Sequence, residues 1–76
     1  MNSQRHYRQD LNNYANQAGL ILTYEESSSG PQHLVTWTFV AYIGGLEHGR
    51  GTSSNKGQAK EIASYKAMEA LGLDVN

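Results

Sequence analysis

From Leu34 to Ile43 the chain alternates without a break: Trp37, Phe39, Ala41 and Ile43 share one face of an extended strand, and Thr36, Thr38, Val40 and Tyr42 share the other. Gly44-Gly45 follows at once, and both glycines can adopt the positive φ angles of a type I′ turn. The stretch from Leu46 to Thr52 is therefore expected to fold back as an antiparallel neighbour, loosened by Gly49 and Gly51. His48 would then stand across from Ala41 as a partly buried histidine. Only one face of such a hairpin is apolar, so the rest of the chain must cover it.

Two helical patterns are available to do so. Tyr7, Leu11, Tyr14, Ala15 and Ala18 recur at helical spacing and Gly19 follows, which predicts a first helix from about Gln4 to about Ala18, with Asn2 or Ser3 capping its start. A last helix is predicted from Lys56 to Leu71, with Ala59, Ile62, Ala63, Ala67, Ala70 and Leu71 on its inner side. The small alanines would let it lie close to a sheet. Gly72 and Leu73 supply the glycine and the apolar contact of a Schellman end. Between the first helix and the hairpin, Leu20 to Glu26 reads as a strand with Leu22 and Tyr24 on one side, and Ser27-Ser28-Ser29-Gly30-Pro31 reads as a mobile loop.

The expected fold class is α+β: an α-β-β-β-α two-layer sandwich in which a three-stranded antiparallel sheet carries both helices on its Trp37 face. Seventy-six residues hold one domain, residues 1–76 with a core over about 7–72. Cysteine is absent, so packing alone must stabilise it. No apolar run is long enough to cross a bilayer and the first six residues are polar, from which an intracellular protein is expected, without a membrane partner.

The residues that carry chemistry gather at the start of the last helix. Asn55 and Gln58 fit a capping box, which leaves the Lys56 and Gly57 amides pointing forward, and Lys56 and Lys60 lie four apart on one face. Such an end attracts phosphate. The formal net charge is −1, so any basic site has to be local. A lysine is also the wrong sign for the positive end of a helix dipole, which costs a few tenths of a kcal/mol when no anion is bound. The alternative reading of this pair is two solvated surface charges. His6, His33 and His48 lack metal-ligand spacing, and no carboxylate or nucleophile accompanies them. Neither a cofactor, a metal, a small-molecule substrate nor an active site is expected. Trp37, Phe39 and the tyrosines fall at core spacing and read as packing.

Taken in order, Leu11-Asn12-Asn13-Tyr14-Ala15, Gly30-Pro31-Gln32-His33, Gly44-Gly45 and Lys56-x-x-Ala59-Lys60 resemble a double-stranded RNA-binding domain, from about Tyr7 to Leu71. The resemblance implies non-catalytic recognition of an A-form duplex by shape, over about 16 base pairs, with contacts to two minor grooves and to the phosphates between them. It assigns Lys56 and Lys60, with Asn55, to those phosphates. Gly30, Pro31, Gln32 and His33 go to one minor groove, and Arg8, Gln9 and Asn13 to the other. Two positions depart from the family. Its Lys-Lys-x-Ala-Lys run has Gly57 in second place, which should weaken affinity and flatten the salt dependence by nearly one unit of logarithmic slope. A glutamate usually stands where this chain has Asn13. Arg50, Ser54 and Asn55 are candidates to compensate for the lost lysine.

Charge placement supports the same reading: Arg5, Arg8, Arg50, Lys56 and Lys60 fall near the contact regions, while Glu25, Glu26, Glu69 and Asp74 fall elsewhere, with Glu61 close to the site. Two alternatives stay open. One is a domain of this fold that binds protein or itself through an exposed patch of Val40 and Tyr42, with Leu34 nearby. The other is an accessory module of a larger RNA-processing enzyme, such as a ribonuclease III or an RNA helicase.

Overall fold

A strand rich in β-branched and aromatic residues lies at the centre of the sheet, and its neighbours are set by the turns on either side. The computed structural model describes residues 5–76. In chain order the elements are α1 (Tyr7–Ala18), β1 (Leu22–Ser29), β2 (Thr36–Ile43), β3 (Leu46–Ser53) and α2 (Lys56–Ala70). The sheet is antiparallel throughout, in the order β1-β2-β3. Both helices cover one face, where Leu11 of α1 meets Ala41 and Ile43 of β2 and Ala67 and Met68 of α2. This is the α-β-β-β-α arrangement expected. The expected start of α1 at Gln4, and its caps Asn2 and Ser3, lie outside the described residues. No helix among the described residues is long and apolar enough to cross a membrane.

Three local expectations are corrected. Ser27, Ser28 and Ser29 do not form a loop; they pair with Thr38, Trp37 and Thr36 and extend β1, because ladder bonds to β2 outweigh their weak strand preference. The connection shrinks to Gly30–Val35, and β2 begins at Thr36 rather than Leu34. Gly30 is needed there: its φ is +93°, and a Cβ would sit 2.6 Å from the Leu34 carbonyl oxygen.

The second correction concerns the hairpin register. Ile43 faces Leu46 and Tyr42 faces Glu47, but a bulge then places Gly49, not His48, opposite Ala41. His48 becomes the extra residue, half-buried, with Nδ1 2.9 Å from the Leu46 carbonyl oxygen. The shift turns Gly49 and Gly51 toward α2 and Arg50 away from it. The glycines do not loosen the strand; they give clearance. A Cβ on Gly49 would come 2.5 Å from the Ala67 amide nitrogen, and one on Gly51 2.5 Å from that of Ala63. Ala59, Ala63 and Ala67 are fully buried against this strip. Ser64 and Met68 complete the inner side of α2, whereas Ala70 is exposed and Ile62 and Leu71 are half-buried. The helix ends as expected, with the Leu73 amide donating to the Met68 carbonyl at 2.9 Å and the Gly72 amide to that of Glu69 at 2.9 Å.

The third correction is the open face of the sheet. Val40 is only 6% exposed, flanked across the ladder by Glu25 and Arg50. Tyr42 Oη donates to Glu25 at 3.2 Å, and the Arg50 guanidinium grips Glu47 at 3.0 and 3.2 Å. That grip holds the Glu47 carboxyl below its ordinary pKa. A polar lattice thus covers the position where an apolar patch was expected.

Because the Gly51 contact is backbone against backbone, Gly51→Ala is expected to lower the unfolding free energy by about 1–3 kcal/mol. The urea midpoint measures it, and an unchanged midpoint would mean that α2 can lift from β3 at no cost.

Candidate nucleic-acid interface

At the start of α2 the polar side chains build a cap. Asn55 is extended and its Oδ1 accepts from the Gln58 amide at 2.9 Å. The reciprocal half of the expected capping box does not form. Ser53 Oγ takes it over, accepting from the Asn55 amide at 3.1 Å and donating to Gln58 Oε1 at 3.3 Å. Gly57 is not a steric necessity here, since a Cβ would meet only Asn55 Oδ1, at 3.5 Å.

Lys56 and Lys60, which follow, each stand on an aromatic face. Lys56 Nζ lies 4.9 Å from the centre of the Trp37 ring, and Lys60 Nζ lies 4.6 Å from that of Tyr24 and 6.0 Å from that of Phe39. Tyr24 is itself anchored. Its hydroxyl donates to Ser64 Oγ at 2.6 Å, and Ser64 in turn donates to the Lys60 carbonyl at 2.8 Å. Burial pushes the Tyr24 phenol above its ordinary pKa, so the ring beneath Lys60 stays neutral. The aromatics expected to be core packing thus also carry the ammonium groups. The two lysines differ in one respect: Lys56 pairs with Glu26 at 3.2 Å, while Lys60 forms no ion pair among the described residues.

Glu61, one position beyond Lys60, joins the two helices. Its carboxylate accepts the backbone amides of Tyr7 and Arg8, so it caps α1, whose N-cap residue His6 offers no side-chain bond. The Arg8 guanidinium lies 3.5 Å from the same carboxylate. This contact places Arg8 and Gln9 beside Lys60: Arg8, Gln9, Asn12, Tyr24 and Lys60 line one groove, and Arg8, Glu26, Phe39, Lys56, Gly57 and Lys60 line the next. Gln32, His33 and Leu34 line a third with Ser54, next to the cap of α2. Gly30 and Pro31 form the turn that carries His33, closed by the Leu34 amide donating to the Pro31 carbonyl at 2.8 Å.

Arg8, Gln9, Lys56 and Lys60 thus share one connected surface, while Gln32 and His33 line a separate groove with Ser54. Asn13 is exposed on α1 but lines none of these grooves; Asn12 does. Arg5 and Arg50 are engaged elsewhere. Arg5 pairs with Asp10 at 3.0 Å and donates to the Asp74 and Asn76 carbonyls, and Arg50 lies on the open face of the sheet, where it cannot stand in for the missing lysine. Glu26, expected away from the contacts, lies among them. Its position was legible in the alternation of β1, which puts residue 26 on the side of Tyr24, once that strand is carried through to Ser29. The capping by Glu61 joins two helices and leaves no local signal.

The chain matches the double-stranded RNA binding motif over residues 7–71. It is 38% identical over 51 residues to Ribonuclease 3 of Corynebacterium efficiens and 37% identical over 51 residues to Ribonuclease 3 of Nocardia farcinica. Each alignment takes in 67% of this chain and 21% of the relative, so the chain spans about a fifth of the length of these curated relatives. Among solved structures, the solution structure of DRB4 dsRBD2 shares the fold with a TM-score of 0.67, at 24% identity, over 87% of this chain and 94% of that one.

Glu61→Ala leaves two α1 amides without their acceptor and is expected to cost about 1–2 kcal/mol of stability, read from thermal unfolding. Hydrogen exchange at the Tyr7 and Arg8 amides should accelerate ahead of the rest of α1; unchanged protection there would refute the cap.

Proposed function

The chain belongs to the double-stranded RNA binding motif family, and we propose that it binds duplex RNA by shape, through the surface formed by α1, the turn at Gly30–His33 and the start of α2. The observation that carries this reading is the row of cations on that surface. Lys56 and Lys60 stand one helical turn apart over aromatic faces with Arg8 alongside. Two ammonium groups at that spacing suit the phosphates that flank one groove of an A-form helix. Gln32 and His33, with the carbonyls of Gly30 and Pro31, offer polar groups to the 2′-hydroxyls of one minor groove. Arg8 and Gln9, with Asn12 or Asn13, offer amides and a guanidinium to another. Asn55 completes the phosphate cradle. In this reading residues 1–76 act as one binding domain that performs no chemistry of its own.

The likeness to a fifth of Ribonuclease 3 favours a second reading that includes the first: the domain holds duplex RNA for a nuclease whose active site lies outside these residues. A titration of the isolated chain tests the shared part of both. A duplex RNA of 20-odd base pairs should bind, with affinity falling steeply between two salt concentrations, and the matching DNA should bind far more weakly, because it lacks 2′-hydroxyls and A-form spacing. Equal binding to both duplexes would refute recognition by shape.

Lys56→Ala with Lys60→Ala is expected to cut RNA affinity at least tenfold and to flatten the logarithmic salt slope by about one to two units while the fold persists. Gly57→Lys, at a position with room for a side chain, should tighten binding and steepen the slope by nearly one unit. Filter binding or fluorescence anisotropy at several salt concentrations measures both, and an unaltered slope in either variant would place the phosphates on another surface.

A further inference from the structure

Among the three cations of the groove sits one carboxylate that forms no part of the proposed RNA contacts. Glu26 lies on β1 opposite Phe39, on the same side of the sheet as Tyr24, and its Oε2 is 3.2 Å from Lys56 Nζ. It lines the groove with Arg8, Lys56, Gly57 and Lys60. Both partners of the pair are about half exposed, so the bond itself is weak and open to exchange. A carboxylate oxygen at hydrogen-bonding distance from an ammonium occupies the place that a phosphate oxygen would take.

We propose that Glu26 is an internal competitor of the RNA backbone: it occupies Lys56 in the free protein, must release it for a phosphate, and sets the affinity of the site below what its cations would give. The inference rests on the duplex-RNA reading above. Two features of the structure make the competition specific to one lysine. Lys60 is free of carboxylates among the described residues, so it meets a phosphate without exchange. The neighbouring acid, Glu25, points to the opposite face of the sheet and accepts from Tyr42. Once Lys56 turns to a phosphate, the Glu26 carboxylate remains anchored to β1 within the groove, where it repels the same backbone. Its negative charge therefore lowers both the affinity and the number of counter-ions that binding releases.

The test compares Glu26→Gln with Glu25→Gln, two variants with the same change in net charge, against a duplex RNA of 20-odd base pairs at several salt concentrations. Glu26→Gln is expected to tighten binding about threefold to tenfold and to steepen the salt slope, while Glu25→Gln changes affinity by less than about twofold. Lys56→Ala should also cost more in the Glu26→Gln background than in the wild type, because the lysine is then free to begin with. Equal tightening by both glutamine variants would reduce the effect to net charge and overturn the proposal. So would unchanged or weaker binding by Glu26→Gln, or a Lys56→Ala cost that is the same in both backgrounds; in these cases the duplex-RNA reading survives. If neither the wild type nor Glu26→Gln binds the duplex, the underlying reading fails and the competitor falls with it.

Discussion

The backbone of α2 rests on the backbone of β3 at Gly49 and Gly51, where the helix presents the small residues Ala59, Ala63 and Ala67, with the Ile62 Cβ beside Gly51. That contact sets the height of the helix above the sheet. Height in turn decides what the first turns of α2 can reach. With a side chain on either glycine the helix would have to rise, and the lysine ammonium groups would leave the ring faces of Trp37 and Tyr24. The packing therefore belongs to the site as much as to the core, because one rigid approach of helix to strand aligns both cations with a surface that also includes Arg8.

The bulge at His48 makes that approach possible. In a regular two-residue hairpin Phe39 would face Arg50 and Val40 would face Gly49, putting a guanidinium under α2 and a glycine on the open side. One extra residue in β3 reverses both. The turn and the alternation of β2 were legible in the residues themselves, and so was the alanine stripe of α2. The bulge was not, because its cause lies in the helix that packs afterwards: the register that buries two glycines wins over the register that the turn alone prefers. The serines of β1 follow the same logic. Local preference favours a loop, and pairing with Thr36, Trp37 and Thr38 overrides it. At the site, Lys56, Lys60 and the His33 turn were readable from spacing and resemblance. Glu61 was not readable, since its task of capping another helix exists only once the two helices meet.

A chain with a net charge of −1 can still present a basic surface if its acids are spent elsewhere. Glu47 is held by Arg50 on the far face of the sheet, and Asp10 is held by Arg5 near the carbonyls of Asp74 and Asn76. Glu61 faces the α1 amides, so part of its charge answers the dipole of that helix as well as Arg8. Net charge is thus a poor guide to this molecule, whereas the placement of each acid is informative. Among the described residues only Glu26 pairs with the lysine row.

Holding two lysines at the positive end of a helix is unfavourable in the absence of an anion, because the dipole and the ammonium groups repel. The aromatic faces beneath them oppose that repulsion, since the negative face of each ring quadrupole attracts the cation that stands over it. The rings also limit the rotamers that long, flexible side chains would otherwise sample, so less freedom is lost when a ligand fixes them. Trp37 and Tyr24 can serve in this way only because each has one edge in the core and one face toward α2, with the Tyr24 hydroxyl tied to Ser64 beneath. The same rings that fill the space between sheet and helix therefore also hold the cations in place, which is how so small a core supports an ordered row of charges.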